Sequence, residues 1–183
     1  MSKIKLCASL AFVLLLGLQP FSYAQSNAGQ TMLSADPIVD VYGNLLIFQP
    51  QFSKTAGMQT EVTLVSPGAT KTSEPYNGVL NLINRGEQAV YAIESVPPTV
   101  STGSKGSNAA ATLNLVALVT TPTGGLPTTL VQQSITGMVV LLKVAPGSSS
   151  DVIYLFVTAP TGPSVQVFTF SAGTFAEVGS VTP

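Results

Sequence analysis

The chain has 183 residues, of which only 8% are charged, with seven Lys and Arg against eight Asp and Glu. It contains no His, no Trp and a single Cys. Its few cations are scattered, so the chain lacks the basic patch that nucleic-acid binding requires. Without His, the Ser-His-Asp and Cys-His forms of catalysis and the usual zinc ligand sets are excluded.

The first 24 residues have the pattern of a secretory signal peptide. Lys3 and Lys5 precede the apolar run Leu6–Leu18, and small residues at Ser22 and Ala24 favour cleavage after Ala24. The apolar run is shorter than the roughly twenty residues that a membrane-spanning helix needs. We therefore expect a secreted or periplasmic protein with no transmembrane span after cleavage.

Cleavage would also remove the only cysteine, Cys7, so the remaining chain could form no internal disulfide bond. It would leave five Lys and Arg against eight Asp and Glu, a net charge of −3. A three-part signal followed by a cysteine-free chain is typical of a bacterial exported protein.

Two predicted segments follow the signal: a disordered leader at residues 25–36 and a single all-β domain at residues 37–183. The leader is small, polar and aperiodic. The domain opens with strands predicted at Ile38–Tyr42 and Leu45–Phe48. Gly43-Asn44 between them is a typical hairpin turn.

The next part of the chain combines strands with polar connections. Gln51–Met58 is predicted to be a loop, and Thr60–Val65 alternates apolar and polar residues as a half-buried strand does. Ala69–Asn77 is predicted to be a polar connection. Strands are then expected at Val79–Ile83 and Ala89–Ser95.

Thr99–Ala110 has the composition of a flexible Gly/Ser loop, and strands are predicted after it at Leu113–Thr120 and Thr128–Gln133. The last part of the chain contains four apolar runs cut apart by turns rich in Pro, Gly and Ser. These runs are Met138–Ala145, Val152–Thr158, Val165–Phe170 and Thr174–Val181. No helical periodicity is present after the signal, so the sequence predicts an all-β fold.

Val152–Thr158 is apolar at both odd and even positions. Since side chains alternate between the two faces of a sheet, this strand is predicted to be buried on both faces. Such burial fits a central strand of a propeller blade. It also fits a sandwich whose outer face is covered by another chain.

Two similar phrases indicate an internal repeat. Gly78 opens GVLNLINRGEQAVYAIESVPP, and Gly137 opens GMVVLLKVAPGSSSDVIYLFVTAP. Each phrase contains an apolar strand, a turn with Gly, and a strand in which Tyr follows an aliphatic residue. Two further strands follow each phrase. The earlier GNLLIF and TEVTLV match only the third and fourth strands of this unit, so about two and a half units are expected.

These four-stranded units resemble the blades of β-propellers. In particular, VQVFTFSAGTFAEVGSV looks like the outer hairpin of lactonase-type propellers. A closed single-chain propeller needs at least about four blades. The predicted fold class is therefore all-β, with antiparallel four-stranded meander repeats in either a β-sandwich-like arrangement or an incomplete β-propeller that could complete a ring by oligomerising.

Glu94 and Tyr76 are the candidate ligand-binding residues. Glu94 lies in the apolar strand AVYAIES, on the same face as Val90 and Ala92. It either lines a cleft, as the carboxylate of a hydrolase would, or reaches solvent near the strand end. Tyr76 lies in the polar connection and is the one aromatic residue expected to be exposed. It either serves as a ligand platform or takes part in core or turn packing, and the sequence favours packing.

Asp36 and Asp40 could share a calcium ion, but the sequence has no Asp-rich loop of the kind that calcium sites use. We therefore expect no catalytic residue, no metal and no cofactor.

The sequence favours an exported non-enzymatic β-domain, a structural or interaction module of the cell envelope or extracellular space. Its expected partners are further copies of itself or an envelope protein. One alternative is a carboxylate-dependent hydrolase or ligand-binding propeller-like protein. The other is a degenerate propeller remnant without independent activity.

Overall fold

The structure is a computed structural model that describes residues 35–97 and 111–182. These residues form twelve β-strands and no helix, as predicted for an all-β chain. The strands are β1 Ile38–Val39, β2 Leu45–Ser53, β3 Gly57–Val65, β4 Lys71–Asn77, β5 Val79–Arg85, β6 Val90–Val96, β7 Thr112–Leu118, β8 Val131–Ile135, β9 Met138–Ala145, β10 Asp151–Ala159, β11 Gly162–Ser171 and β12 Thr174–Val181.

The strands form three antiparallel sheets of four, each a meander in chain order. The first sheet is β1–β4, the middle sheet β5–β8 and the third sheet β9–β12. The two full repeat units predicted from Gly78 and Gly137 correspond to the middle and third sheets. The prediction of four-stranded antiparallel meander repeats is thus confirmed.

Gly78 and Gly137 lie where one sheet ends and the next begins. Their φ angles are +75° and +100°, a left-handed region that favours glycine. A Cβ atom at Gly78 would come within 2.7 Å of the Ser95 carbonyl oxygen, and one at Gly137 within 2.5 Å of a Val157 methyl group. Both junctions therefore require glycine for its conformation and for its lack of a side chain.

The half unit predicted at the start of the domain is wrong. GNLLIF and TEVTLV contribute to the second and third strands of a complete first sheet, and the predicted polar connection Ala69–Asn77 contains its fourth strand, β4. The sequence of β4, KTSEPYN, has no apolar alternation because it is an edge strand with one polar face. Pro75 is tolerated there because an edge strand has N–H groups outside the ladder.

Two further boundaries differ from the prediction. β1 ends at Val39, since the Asp40 carboxylate accepts hydrogen bonds from the backbone N–H groups of Tyr42 and Asn44 and turns the chain. The predicted loop Gln51–Met58 is mostly strand. Only residues 54–56 form the turn of the hairpin, which pairs Ser53 with Gly57.

The three sheets are layered, with one hydrophobic core on each side of the middle sheet. The core between the first and middle sheets includes Phe48, Val62, Val90 and Val116. The core between the middle and third sheets contains side chains of both sheets, and its members are Ala89, Tyr91, Ile93, Leu115, Ala117, Leu142, Ile153, Leu155, Val157, Phe168 and Phe170. Burial of apolar surface in these two cores stabilises the stack.

The strands that are buried on both faces are the central ones of the middle sheet. In β6 all residues from Val90 to Glu94 are buried, and in β7 all residues from Asn114 to Leu118. β10 was expected to be such a strand, but its buried residues, Asp151, Ile153, Leu155 and Val157, all lie on its inner face. Its opposite face is half-exposed because no fourth sheet covers it in the described part of the chain.

The predicted signal peptide, most of the predicted leader and the Gly/Ser segment Thr99–Ala110 fall on residues that lie outside those described. Within residues 35–97 and 111–182, no helix has the length and apolar character needed to cross a membrane.

Candidate functional site

Glu94 lies on the face of the middle sheet that is turned towards the first sheet. Its side chain is 2% exposed, so it does not reach solvent near the strand end. Its Oε2 accepts hydrogen bonds from Asn114 Nδ2 at 2.7 Å and from Gln132 Nε2 at 3.1 Å. Ser134 Oγ donates in turn to Asn114 Oδ1 at 3.3 Å, which extends this polar row across three strands.

Burial raises the pKa of the Glu94 carboxyl, and the hydrogen bond from Asn114 only partly offsets this increase. Neither cause is the charge of another acid. Glycoside hydrolysis requires two carboxylates on opposite sides of the scissile bond. The contacts of Glu94 supply one buried acid held by amides, which is the arrangement of a satisfied polar group in a core.

Tyr76 was expected to be exposed, but it is 5% exposed and belongs to the core between the first and middle sheets. Its hydroxyl group donates a hydrogen bond to the Pro127 carbonyl oxygen in the loop after β7. Burial and the nearby charge of Glu74 raise the pKa of this hydroxyl group. Tyr76 therefore attaches the edge strand of the first sheet to the middle sheet and offers no open ring to a ligand.

Asp40 is a buried carboxylate at the turn between β1 and β2. Besides the two backbone groups of its own turn, it accepts hydrogen bonds from Asn44 Nδ2 at 2.8 Å and from Thr120 Oγ1 at 2.6 Å. Thr120 follows β7, so this carboxylate connects the first sheet to the middle sheet. Within the described residues, no group of three or more His, Cys, Asp or Glu side chains is placed to hold a metal ion.

Asp151, at the start of β10, connects the third sheet to the middle sheet. Its oxygens accept hydrogen bonds from the backbone N–H groups of Glu87, Gln88 and Gly147 and from the Tyr91 hydroxyl group, at 2.7–3.0 Å. Burial raises the pKa of Asp151, but these four hydrogen bonds outweigh burial and hold the pKa below its ordinary value. Burial raises the pKa of the Tyr91 hydroxyl group, and the hydrogen bond to Asp151 and the charge of Asp151 raise it further.

The outer face of the third sheet, which points away from the middle sheet, is mostly apolar, with Lys143, Thr158 and Thr169 as polar members, and no other strand of residues 35–97 and 111–182 covers it. Cross-strand pairing places Leu141, Phe156, Val165 and Val181 in one row. The neighbouring row runs from Lys143 through Tyr154 and Val167. The other apolar side chains of this face are Met138, Ala145, Val152, Pro163 and Ala176, with Val140 and Val178 beside shifts in the strand register.

Exposure of these side chains is high for apolar residues. Leu141, Tyr154 and Phe156 are 38%, 37% and 39% exposed, although they lie on the central part of the sheet. Met138 and Val181 are more than 60% exposed. A contiguous apolar patch of this kind on a protein surface marks an interaction site more often than single scattered residues do.

The opposite end of the stack, the outer face of the first sheet, is mostly polar. Its central rows pair Ile47 with Thr63 and Ser73, and Gln49 with Glu61 and Pro75. Gln51, Gln59 and Asn77 form the next row. The two ends of the same stack therefore differ in chemistry, and among the three described sheets only the third presents an apolar outer face.

Comparisons of this chain with protein-family models, with curated proteins and with solved structures found no match.

Sequence reasoning identified neither Asp40 nor Asp151 as a residue that joins two sheets. Their partners are backbone N–H groups and side chains up to 80 positions away in the sequence, and no local motif encodes such contacts. The apolar outer face did leave a signal, because Tyr154 and Phe156 alternate with the core residues of β10. That signal was interpreted as burial on both faces.

Proposed function

We propose that this protein is an exported, non-enzymatic structural or interaction module of the cell envelope or extracellular space. Its working surface is the outer face of the third sheet. The observation that carries the proposal is the half-exposure of Leu141, Tyr154 and Phe156 at the centre of a continuous apolar sheet face. A face of this chemistry gains free energy when a partner removes it from water.

The stack of three meanders also supports the interpretation that the sheets are propeller-like blades. Three successive four-stranded sheets, each packed face to face on the next, would be three blade-like units of the kind that β-propellers repeat around an axis. This propeller resemblance is part of the proposal. The apolar end of the stack is where a further unit or a partner would pack.

Export is tested by the N-terminus of the protein recovered outside the cytoplasm of a bacterial host. The signal pattern predicts cleavage after Ala24, so that Gln25 becomes the first residue. Mass spectrometry of the intact protein measures this directly. Recovery of a chain that still contains Lys3 and Lys5 would contradict a cleaved signal.

The working surface is tested by native gel electrophoresis of the exported fraction. Phe156→Glu places a charge in the proposed contact and should convert the protein from an assembly to a single chain. Phe52→Glu is the matched control, since Phe52 is 68% exposed on the first sheet, away from this face. The two variants carry the same charge, so equal migration of Phe156→Glu and Phe52→Glu would overturn the proposal.

A second candidate function is that of a carboxylate-dependent hydrolase or ligand-binding protein centred on Glu94. The raised pKa of Glu94 favours it, because a general acid must keep its proton near neutral pH. Glu94→Gln should then abolish hydrolysis of nitrophenyl glycosides by the purified protein. If the wild type and the variant behave alike on these substrates, this candidate is excluded for glycosides.

A further inference from the structure

We propose that the outer face of the third sheet is covered by the same face of a second copy of this chain, in a twofold homodimer. This inference rests on the proposed function, because it names the partner of the surface assigned there. Three features of the face select a second copy: its chemistry, its contrast with the other end of the stack, and its size.

The chemistry of the face is self-complementary. Between Met138 and Val181 the only Lys or Arg is Lys143, and the two acids of this segment are Asp151 and Glu177. Asp151 is buried in the joint with the middle sheet, and Glu177 pairs with the inward-facing Phe168. Lys143 is thus the one charged side chain in the rows of this face. Two copies of the face can therefore pack together with repulsion between only one pair of like charges.

The polarity of the two ends of the stack decides between modes of self-association. A head-to-tail contact, as in a ring or filament, would place the apolar outer face of the third sheet against the first sheet. There it would meet Gln49, Glu61 and Ser73 and remove their polar groups from water without matched partners. A twofold contact buries apolar side chains against apolar side chains, which is the favourable arrangement.

The size of the face meets the requirement of a specific dimer. Its four strands contain eight to ten residues each. With strands about 4.8 Å apart and a rise of about 3.3 Å per residue, the face covers roughly 500 Å² on each copy. Two copies bury about twice that area, close to the ~1,000 Å² that separates specific interfaces from casual contacts.

The position of the aromatic residues places them near the centre of the contact. β10 and β11 are the two inner strands of the third sheet, and Tyr154 pairs with Val167 between them while Phe156 pairs with Val165. In a twofold interface, residues near the axis approach their own copies. Buried aromatic side chains near an interface centre carry most of the binding energy.

The first test is the native mass of the purified exported protein, measured by light scattering over a range of concentrations. The wild type should have the mass of two chains. Phe156→Glu should weaken the dimer by at least about 30-fold, because truncation of a central aromatic anchor has effects of this order. Leu141→Thr with Phe156→Thr is the second variant, since Thr keeps a high strand preference if the charged substitution impairs folding.

The second test uses cysteine cross-linking, which distinguishes the two modes of contact. In a Cys7→Ser chain an introduced cysteine is the only thiol. Single cysteines at Tyr154, Phe156 and Val165 should include at least one that forms a disulfide-linked dimer on oxidation. In a head-to-tail contact, Tyr154→Cys would instead require a second cysteine at an exposed position on the outer face of the first sheet, for example Gln49→Cys.

The outcomes distinguish failure of the dimer from failure of the proposed function. A wild type that remains a single chain at every concentration overturns the dimer, as does cross-linking only in the Tyr154 and Gln49 pair. If the purified wild type is a single chain but Phe156→Glu changes the assembly in the exported fraction, the proposed function stands and a different protein covers the surface. The dimer is supported by a two-chain mass that Phe52→Glu retains and Phe156→Glu loses.

Discussion

Buried carboxylates hold the three sheets of this protein together. Asp40 and Asp151 each accept four hydrogen bonds, and each joins an outer sheet to the middle one. Hydrogen bonds to a charged acceptor in a buried site are stronger than neutral ones. These two residues connect the sheets. Each of their carboxylate oxygens accepts two hydrogen bonds from protein groups, which leaves it unavailable as a metal ligand.

Asp151→Asn should lower the free energy of unfolding at pH 7 by about 2–4 kcal/mol, because one amide NH₂ group would face two N–H or O–H donors in a buried site. The pKa of Asp151 lies below its ordinary value of 3.8 in the folded chain. Its stabilisation is therefore present above pH 3.8 and is lost as the pH falls through the folded pKa. Urea unfolding between pH 3 and pH 7 measures both effects.

The same measurement on the wild type provides the comparison. The difference in stability between wild type and Asp151→Asn should shrink as the pH falls below about 4. An unchanged difference at pH 3 and pH 7 would mean that the charge of Asp151 contributes nothing to the joint.

Glu94 should have the opposite dependence on pH. Its pKa is raised above the ordinary value of 4.5, so the stability linked to its proton is present below pH 4.5 and is lost as the pH rises through the folded pKa. Glu94→Gln removes this titration and keeps an oxygen that can accept from Asn114 and Gln132. The variant should be more stable than the wild type at pH 7 and equal to it near pH 4, as measured by urea unfolding. A variant less stable at both pH values would contradict this role.

Successive residues of β10 alternate between the core and the exposed outer face of the third sheet. Leu155 faces the core between the middle and third sheets and is fully buried, while the next residue, Phe156, lies on the outer face. Leu155→Ala should lower the free energy of unfolding by about 2–5 kcal/mol through the cavity that it leaves. Phe156→Thr should change it by less than about 1 kcal/mol.

This comparison is made by chemical unfolding at a protein concentration low enough to separate the copies. The two variants differ by one position in the same strand, so each is the control for the other. Similar losses of stability in both would show that the outer face is covered within a single chain.

The strands of this fold could largely be predicted from the sequence, since eleven apolar runs alternate with turns of clear composition. β4 could not, because an edge strand with a proline and a polar outer face has no apolar period. The position of β10 was predicted, but its environment was not, because the sequence of a strand with two apolar faces does not say which face a neighbouring sheet covers. Glu94 and Tyr76, the two residues that the sequence offers as a site, are buried in the core. The candidate site is therefore the outer face of the third sheet.

The whole molecule should unfold as one unit, because the middle sheet contributes to both hydrophobic cores. Loss of either outer sheet exposes one face of β6 and β7, which are buried on both sides. Circular dichroism during heating should therefore show a single cooperative transition. The alternative of a degenerate propeller remnant predicts a gradual change, and two separate transitions would contradict the coupling of the cores.

The layered arrangement leaves two ends of different chemistry, and the proposed dimer through the apolar end depends on that difference. A photo-crosslinking phenylalanine analogue at Tyr154, compared with the same analogue at Gln49 on the polar outer face of the first sheet, tests it most directly. Irradiation of the purified protein should give an adduct with the mass of two chains at position 154 and none at position 49. Absence of the adduct at position 154, or equal adducts at both positions, would contradict it.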